Sequence, residues 1–114
     1  MLHRALLRFQ GLARSVEVRR FEHTATTYAL VAIVTLKDAS ILYIRDYLFA
    51  DGSHKYAYHW QRQTGERIGR WDNEAHWPSI RTFPHHFHGA TCEVEASTVR
   101  CIDDVIGIIA SALE

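Results

Sequence analysis

The sequence is poor in residues that staple or break a chain: 114 residues hold two cysteines, two prolines and six glycines. Cys92 and Cys101 cannot build a disulfide framework, so both read as thiols, with Cys101 packed on an apolar helix face. No apolar run approaches the length of a membrane span. His3, Arg4, Arg8 and Arg14 interrupt the first residues, where a secretory leader needs a continuous apolar stretch. A reduced, cytoplasmic protein with no membrane attachment is expected. Charge of one sign is missing too. Thirteen basic side chains balance thirteen acidic ones, which argues against an extended nucleic-acid groove. There is no glycine-rich phosphate loop and no paired-carboxylate motif, which speaks against kinase-like or nucleotidyl-transferase chemistry.

What is present fits one domain over residues 1–114, with 47% hydrophobic and 23% charged residues. The charge is unevenly placed. Arg4, Arg8, Arg14, Arg19 and Arg20 face only Glu17 near the start, whereas Glu93, Glu95, Asp103, Asp104 and Glu114 face only Arg100 near the end. Two solvated helix faces would explain this, as would a basic patch for RNA or an acidic partner segment.

Leu2, Ala5, Leu6, Phe9 and Leu12 or Ala13 recur at helical spacing and predict a first helix ending between Gly11 and Ser15. Val16, Val18 and Phe21 alternate as in a strand. Tyr28 to Leu36 is rich in Val, Ile, Thr and Tyr, and reads as a central strand. Ile41 to Phe49 reads as the next, with a bulge near Asp46. Asp51-Gly52 and Thr64-Gly65 are turn signals. Tyr56, Tyr58 and Trp60 alternate with Ala57, His59 and Gln61, which sends His59 to the face opposite the aromatics. Ile68 and Trp71 mark a further strand. The pattern stops from Asp72 to Gly89, as in a functional loop. Ser97 reads as an N-cap. A helical stripe of Val99, Ile102, Val105, Ile106, Ile109 and Leu113 follows. The expected fold is α+β: an antiparallel sheet of about five strands with an N-terminal and a C-terminal helix packed on it.

Six of the eight histidines fall between His54 and His88, namely His54, His59, His76, His85, His86 and His88. Three readings compete. A metal site could draw on His76, His85, His86 and His88 with Asp72, but the spacing is poor and none is expected. Packing and hydrogen bonding of a loop would also account for individual histidines. Alternatively, imidazoles with an arginine can supply the base, acid and cation that RNA cleavage needs without metal or other cofactor. On that reading His59, Arg70, His85 and His86 are the catalytic candidates. Trp71, Asp72, Asn73, His76, Trp77, Arg81 and His88 would bind substrate, the tryptophans by stacking bases. Tyr58 reads as core.

Three stretches carry a resemblance: Tyr56-Ala57-Tyr58-His59-Trp60-Gln61, Arg70-Trp71-Asp72-Asn73-Glu74-Ala75-His76, and Thr82-Phe83-Pro84-His85-His86-Phe87-His88. Together, in this order, they resemble the TumE-like toxin family, and the flanking strands and closing helix extend the resemblance over most of the chain. The matching positions are Tyr58, His59, Gln61, Arg70, Asp72, Asn73, His76, Pro84, His85, His86 and His88. Trp77 stands where the family often has a second histidine. The resemblance implies a type II toxin encoded beside a helix-turn-helix antitoxin. It leaves the reaction open among a metal-independent ribonuclease, a toxin that only occupies a host target, and a metal-binding hydrolase. The oligomeric state is open between monomer and homo-oligomer.

Overall fold

The computed structural model describes Arg4, residues 7–91 and residues 93–114. Seven strands follow in chain order: β1 (Ala13–His23), β2 (Tyr28–Leu36), β3 (Ile41–Leu48), β4 (His54–Gln61), β5 (Arg67–Asp72), β6 (His86–His88) and β7 (Val94–Ala96). Each pairs antiparallel with the next, so the sheet order is the chain order. One helix, α1 (Ile102–Ala112), closes the described chain.

Alternation decides which face is buried. Leu30, Val34 and Leu36 of β2, Leu42 and Ile44 of β3, and Tyr56, Tyr58 and Trp60 of β4 all turn to one side and are nearly inaccessible. Ile102, Val105, Ile106 and Ile109 of α1 join them in one cluster, with Leu113 packed at its margin. Trp71 and Phe87 extend this layer over β5 and β6, their ring centroids 5.1 Å apart. Gly69 allows it: a Cβ there would stand 2.7 Å from the Phe87 ring. The other face of the sheet carries no helix among the described residues.

The expected α+β fold of about five strands is thus corrected to a mostly-β fold, a seven-stranded sheet backed by the C-terminal helix α1. β6 and β7 lie in and just after the stretch expected to be irregular. Three residues are too few to show a period of two, and histidine is a weak strand signal. Of the expected N-terminal helix, Arg4, Leu7 and Arg8 are helical, and residues 1–3, 5 and 6 lie outside the described residues. Phe9 to Leu12 close in turns, with Leu12 N–H and Ala13 N–H both donating to the Phe9 carbonyl at 3.0 Å. The register runs without a bulge through Asp46, and irregularities fall instead in β1 and at Trp60/Gln61.

The N-cap of α1 is Cys101, not Ser97. Ser97 Oγ accepts a bond from Val99 N–H at 3.1 Å, a local turn that delays the helix. Cys101 therefore sits at the helix entrance rather than on its apolar face. The opposed charges of the two ends meet within the molecule: Arg8 donates to the Asp103 carboxylate and carbonyl at 3.0 Å each.

Candidate active site

The open face of the sheet carries two rows of side chains, set by the strand register. The first runs Tyr43, His59, Arg70, His88 across β3 to β6. The second runs Arg45, Ala57, Asp72, His86 across the same strands. Adjacent strands lie about 4.8 Å apart. Two imidazoles thus flank the Arg70 guanidinium, and a buried carboxylate stands in the row behind.

Asp72 holds the centre. It is 2% exposed. Its Oδ1 lies 2.7 Å from His86 Nε2 and accepts from Glu74 N–H at 3.0 Å. Its Oδ2 accepts from Arg70 Nε at 3.0 Å and is 3.9 Å from His88 Nε2. His86 Nδ1 lies 3.0 Å from the Pro84 carbonyl. Both ring nitrogens of His86 therefore face oxygen acceptors, and the ring can donate to both only as imidazolium. Trp77, largely exposed, stands edge-on to His86 and His88 at 6.4 and 6.2 Å.

His59 is half-buried, and its Nε2 lies 3.1 Å from Gln61 Oε1. Its Nδ1 is the one buried side-chain polar atom without a partner among the described residues, a kind of atom that concentrates at working sites. Burial lowers the pKa of His59; Gln61 opposes this, and the Arg70 and Arg67 charges add to it. His88 is lowered by burial and by His86, with Asp72 opposing and Arg67 and Arg70 adding.

Of the four catalytic candidates, the open face brings His59, Arg70 and His86 together. It does not bring in His85, which precedes β6 and turns to the other side. There Tyr56 Oη lies 2.8 Å from His85 Nδ1 and donates to the Val99 carbonyl at 3.0 Å. Burial, then Arg100, His54 and His86, lower the His85 pKa. Among the expected substrate-binding residues, Asp72, His88 and Trp77 belong to the open-face cluster. Trp71 is in the core. Asn73 is a structural clip, accepting from Tyr56 N–H at 3.0 Å and donating to the His54 carbonyl at 2.7 Å. His76 and Arg81 are exposed. Tyr58 is fully buried, as the alternation indicated.

Sequence reasoning passed over Tyr43, Arg45 and Ala57, which with His59, Gln61 and Arg70 line a groove of about 380 Å³. The signal was there: Tyr43 and Arg45 are the odd-numbered partners of the buried Leu42 and Ile44. It also passed over a second carboxylate cluster. Asp46, 2% exposed, accepts from Tyr58 Oη at 2.5 Å and Tyr28 Oη at 2.8 Å, and lies 2.6 Å from His54 Nε2. Asp72, His86 and His88 are the described residues that can hold a metal ion, with one ligand atom from each within 4.8 Å of the others.

The described chain is thus a small meandering sheet that carries histidines, an arginine and a buried aspartate on its open face. Residues 2–113 match the family model described as Toxin TumE, and the chain belongs to that toxin family. No curated protein and no solved structure matches the chain. No helix among the described residues is long and apolar enough to cross a membrane.

Proposed function

We propose that this chain is the toxin of a type II toxin–antitoxin pair and cleaves RNA in the cytoplasm by metal-independent acid–base chemistry. The observation that carries the reading is the row His59, Arg70, His88, two imidazoles either side of a guanidinium on an open face. His59, kept neutral by its surroundings, takes the proton of a 2′-hydroxyl. The oxygen attacks the adjacent phosphorus, and Arg70 balances the charge that builds on the phosphoryl oxygens. His88, which its surroundings make a stronger acid when it carries a proton, gives that proton to the departing 5′-oxygen, leaving a 2′,3′-cyclic phosphate and a 5′-hydroxyl. Asp72 and His86 position Arg70 and His88 rather than react. The partner is a helix-turn-helix antitoxin whose binding covers this face.

A second reading, metal-assisted hydrolysis, is favoured by one observation: the convergence of Asp72, His86 and His88. One experiment separates the two. Purified chain without a histidine tag is incubated with cellular RNA in EDTA, and the new ends are sequenced and typed chemically. Cyclic phosphate and 5′-hydroxyl ends in EDTA are expected. Loss of cleavage in EDTA, restored by a single metal, would establish the second reading instead. Growth arrest with no new RNA ends would reduce the protein to a toxin that binds a target.

A further inference from the structure

We propose that the groove beside the catalytic row is a subsite for one unpaired nucleotide of RNA, with Tyr43 stacking its base and Arg45 holding its phosphate. This rests on the RNA-cleavage reading and adds the substrate class: single-stranded rather than paired RNA.

Four features point the same way. Tyr43 is 37% exposed at an outward position of the alternating stretch from Leu42 to Asp46, so packing does not require an aromatic there. Its ring stands 6.1 Å from that of His59, tilted 55°, which sets a stacking surface directly beside the general base. Ala57 stands between Arg45 and Asp72 in the second row, and its methyl group leaves the floor of the groove low. Arg45 is exposed and forms no ion pair among the described residues, unlike Arg19 and Arg20, which pair with Glu17 and Glu22.

The dimensions and charge select the occupant. A groove of about 380 Å³ lies in the range of small-ligand sites, roughly 300–1,000 Å³. With Arg45 on one side and Arg70 on the other, it suits an anion with a flat body, which is a nucleotide. Gln61 at the rim offers both a donor and an acceptor to a base edge. A base can reach Tyr43 only if it is splayed from its neighbours, as in loops and single strands. An acidic peptide would satisfy the arginines but not the aromatic surface.

The test uses a fluorescent single-stranded RNA dodecamer carrying 2′-O-methyl groups, which cannot be cleaved by this chemistry, and the same sequence as a duplex. Wild type should bind the single strand more tightly than the duplex. Tyr43→Ala should weaken single-strand binding about tenfold, in line with the stacking of one base, and Tyr43→Phe should restore it. Ala57→Leu, which fills the groove from its floor, should weaken it comparably. Circular dichroism checks that each variant is folded.

Unchanged binding and unchanged cleavage by folded Tyr43→Ala and Ala57→Leu would overturn the subsite and leave the ribonuclease reading intact. A toxic wild type that neither binds nor cleaves RNA would overturn both. If the two variants lose only antitoxin binding, the groove is a protein-docking surface and the proposal is wrong.

Discussion

Two buried aspartates divide the molecule's polar chemistry, and they differ in what surrounds them. Asp46 and Asp72 are equally inaccessible, and each lies within 2.7 Å of a histidine Nε2. The remaining partners of Asp46 are two phenols, Tyr28 and Tyr58, whose pKa values burial pushes far above the ordinary range. Both phenols therefore hold their protons. The remaining side-chain partners of Asp72 are a guanidinium and a second imidazole, and the guanidinium lines the groove beside His59. On the proposed function, the same carboxylate–imidazole unit is a clip beside the phenols and a support for chemistry beside Arg70.

This contrast is sharpest in single substitutions. Arg70→Ala, His59→Ala and His88→Ala should each lower RNA cleavage about 100- to 1,000-fold. Thermal unfolding followed by circular dichroism should barely move for His59→Ala and His88→Ala, and should fall somewhat for Arg70→Ala, which takes a partner from the buried Asp72 carboxylate. A large loss of stability in all three would show that the open face is structural after all.

The pH profile should follow His59. It faces Tyr43 on β3, Gln61 on its own strand, and Arg70 and Arg67 on β5; its lowered pKa means that the neutral base survives below the ordinary imidazole value near 6.5. The acidic limb of kcat/KM should therefore lie on the acid side of that value. The sign for folding follows as well. The unfolded chain binds a proton at this group more readily, so its contribution to stability is complete above the ordinary value and falls away as pH drops through the folded one. Arg70→Gln removes one of the charges that depress His59 and should move any residual acidic limb upward. A limb that does not move would separate His59 from the arginine.

The opposite behaviour is expected at Asp46. Asp46→Ala strands the buried Tyr58 hydroxyl and takes a partner from the half-buried Tyr28 and His54, and should cost about 3 kcal/mol, a buried donor left unpaired being worth about 1–3 kcal/mol. Urea unfolding measures it, and cleavage per folded molecule should be unchanged. The smallest effect is expected at His85→Ala. It loses one hydrogen bond to Tyr56, about 1 kcal/mol, with cleavage within about twofold of wild type on the placement of its ring. A 100-fold drop there would return His85 to the catalytic set.

The sequence shows some of this directly. β2 was legible to its bounds, because nine residues of β-branched and aromatic type leave little choice. The orientation of His59 away from Tyr56, Tyr58 and Trp60 followed from period two alone. The stripe from Val99 to Leu113 marked α1. The motif-rich stretch was legible as important but not as geometry. His85 and His86 are neighbours in the chain, yet one bonds Tyr56 on the core side and the other Asp72 on the open side. Trp71 reads as a base-stacking candidate until the register opposite Tyr58 puts it inside.

Three short motifs thus determined the family resemblance, and local alternation determined the strands from β1 to β5 and the closing helix. Those properties depend on neighbours within a few positions, which any stretch of sequence contains. The tertiary structure alone decided that β6 extends the sheet beside β5. That pairing joins Arg70 to His88 and Asp72 to His86 across separations of 18 and 14 residues. A three-residue strand has no period to read, and its place is set by the hydrogen bonds and the Phe87 ring that it brings to an existing edge.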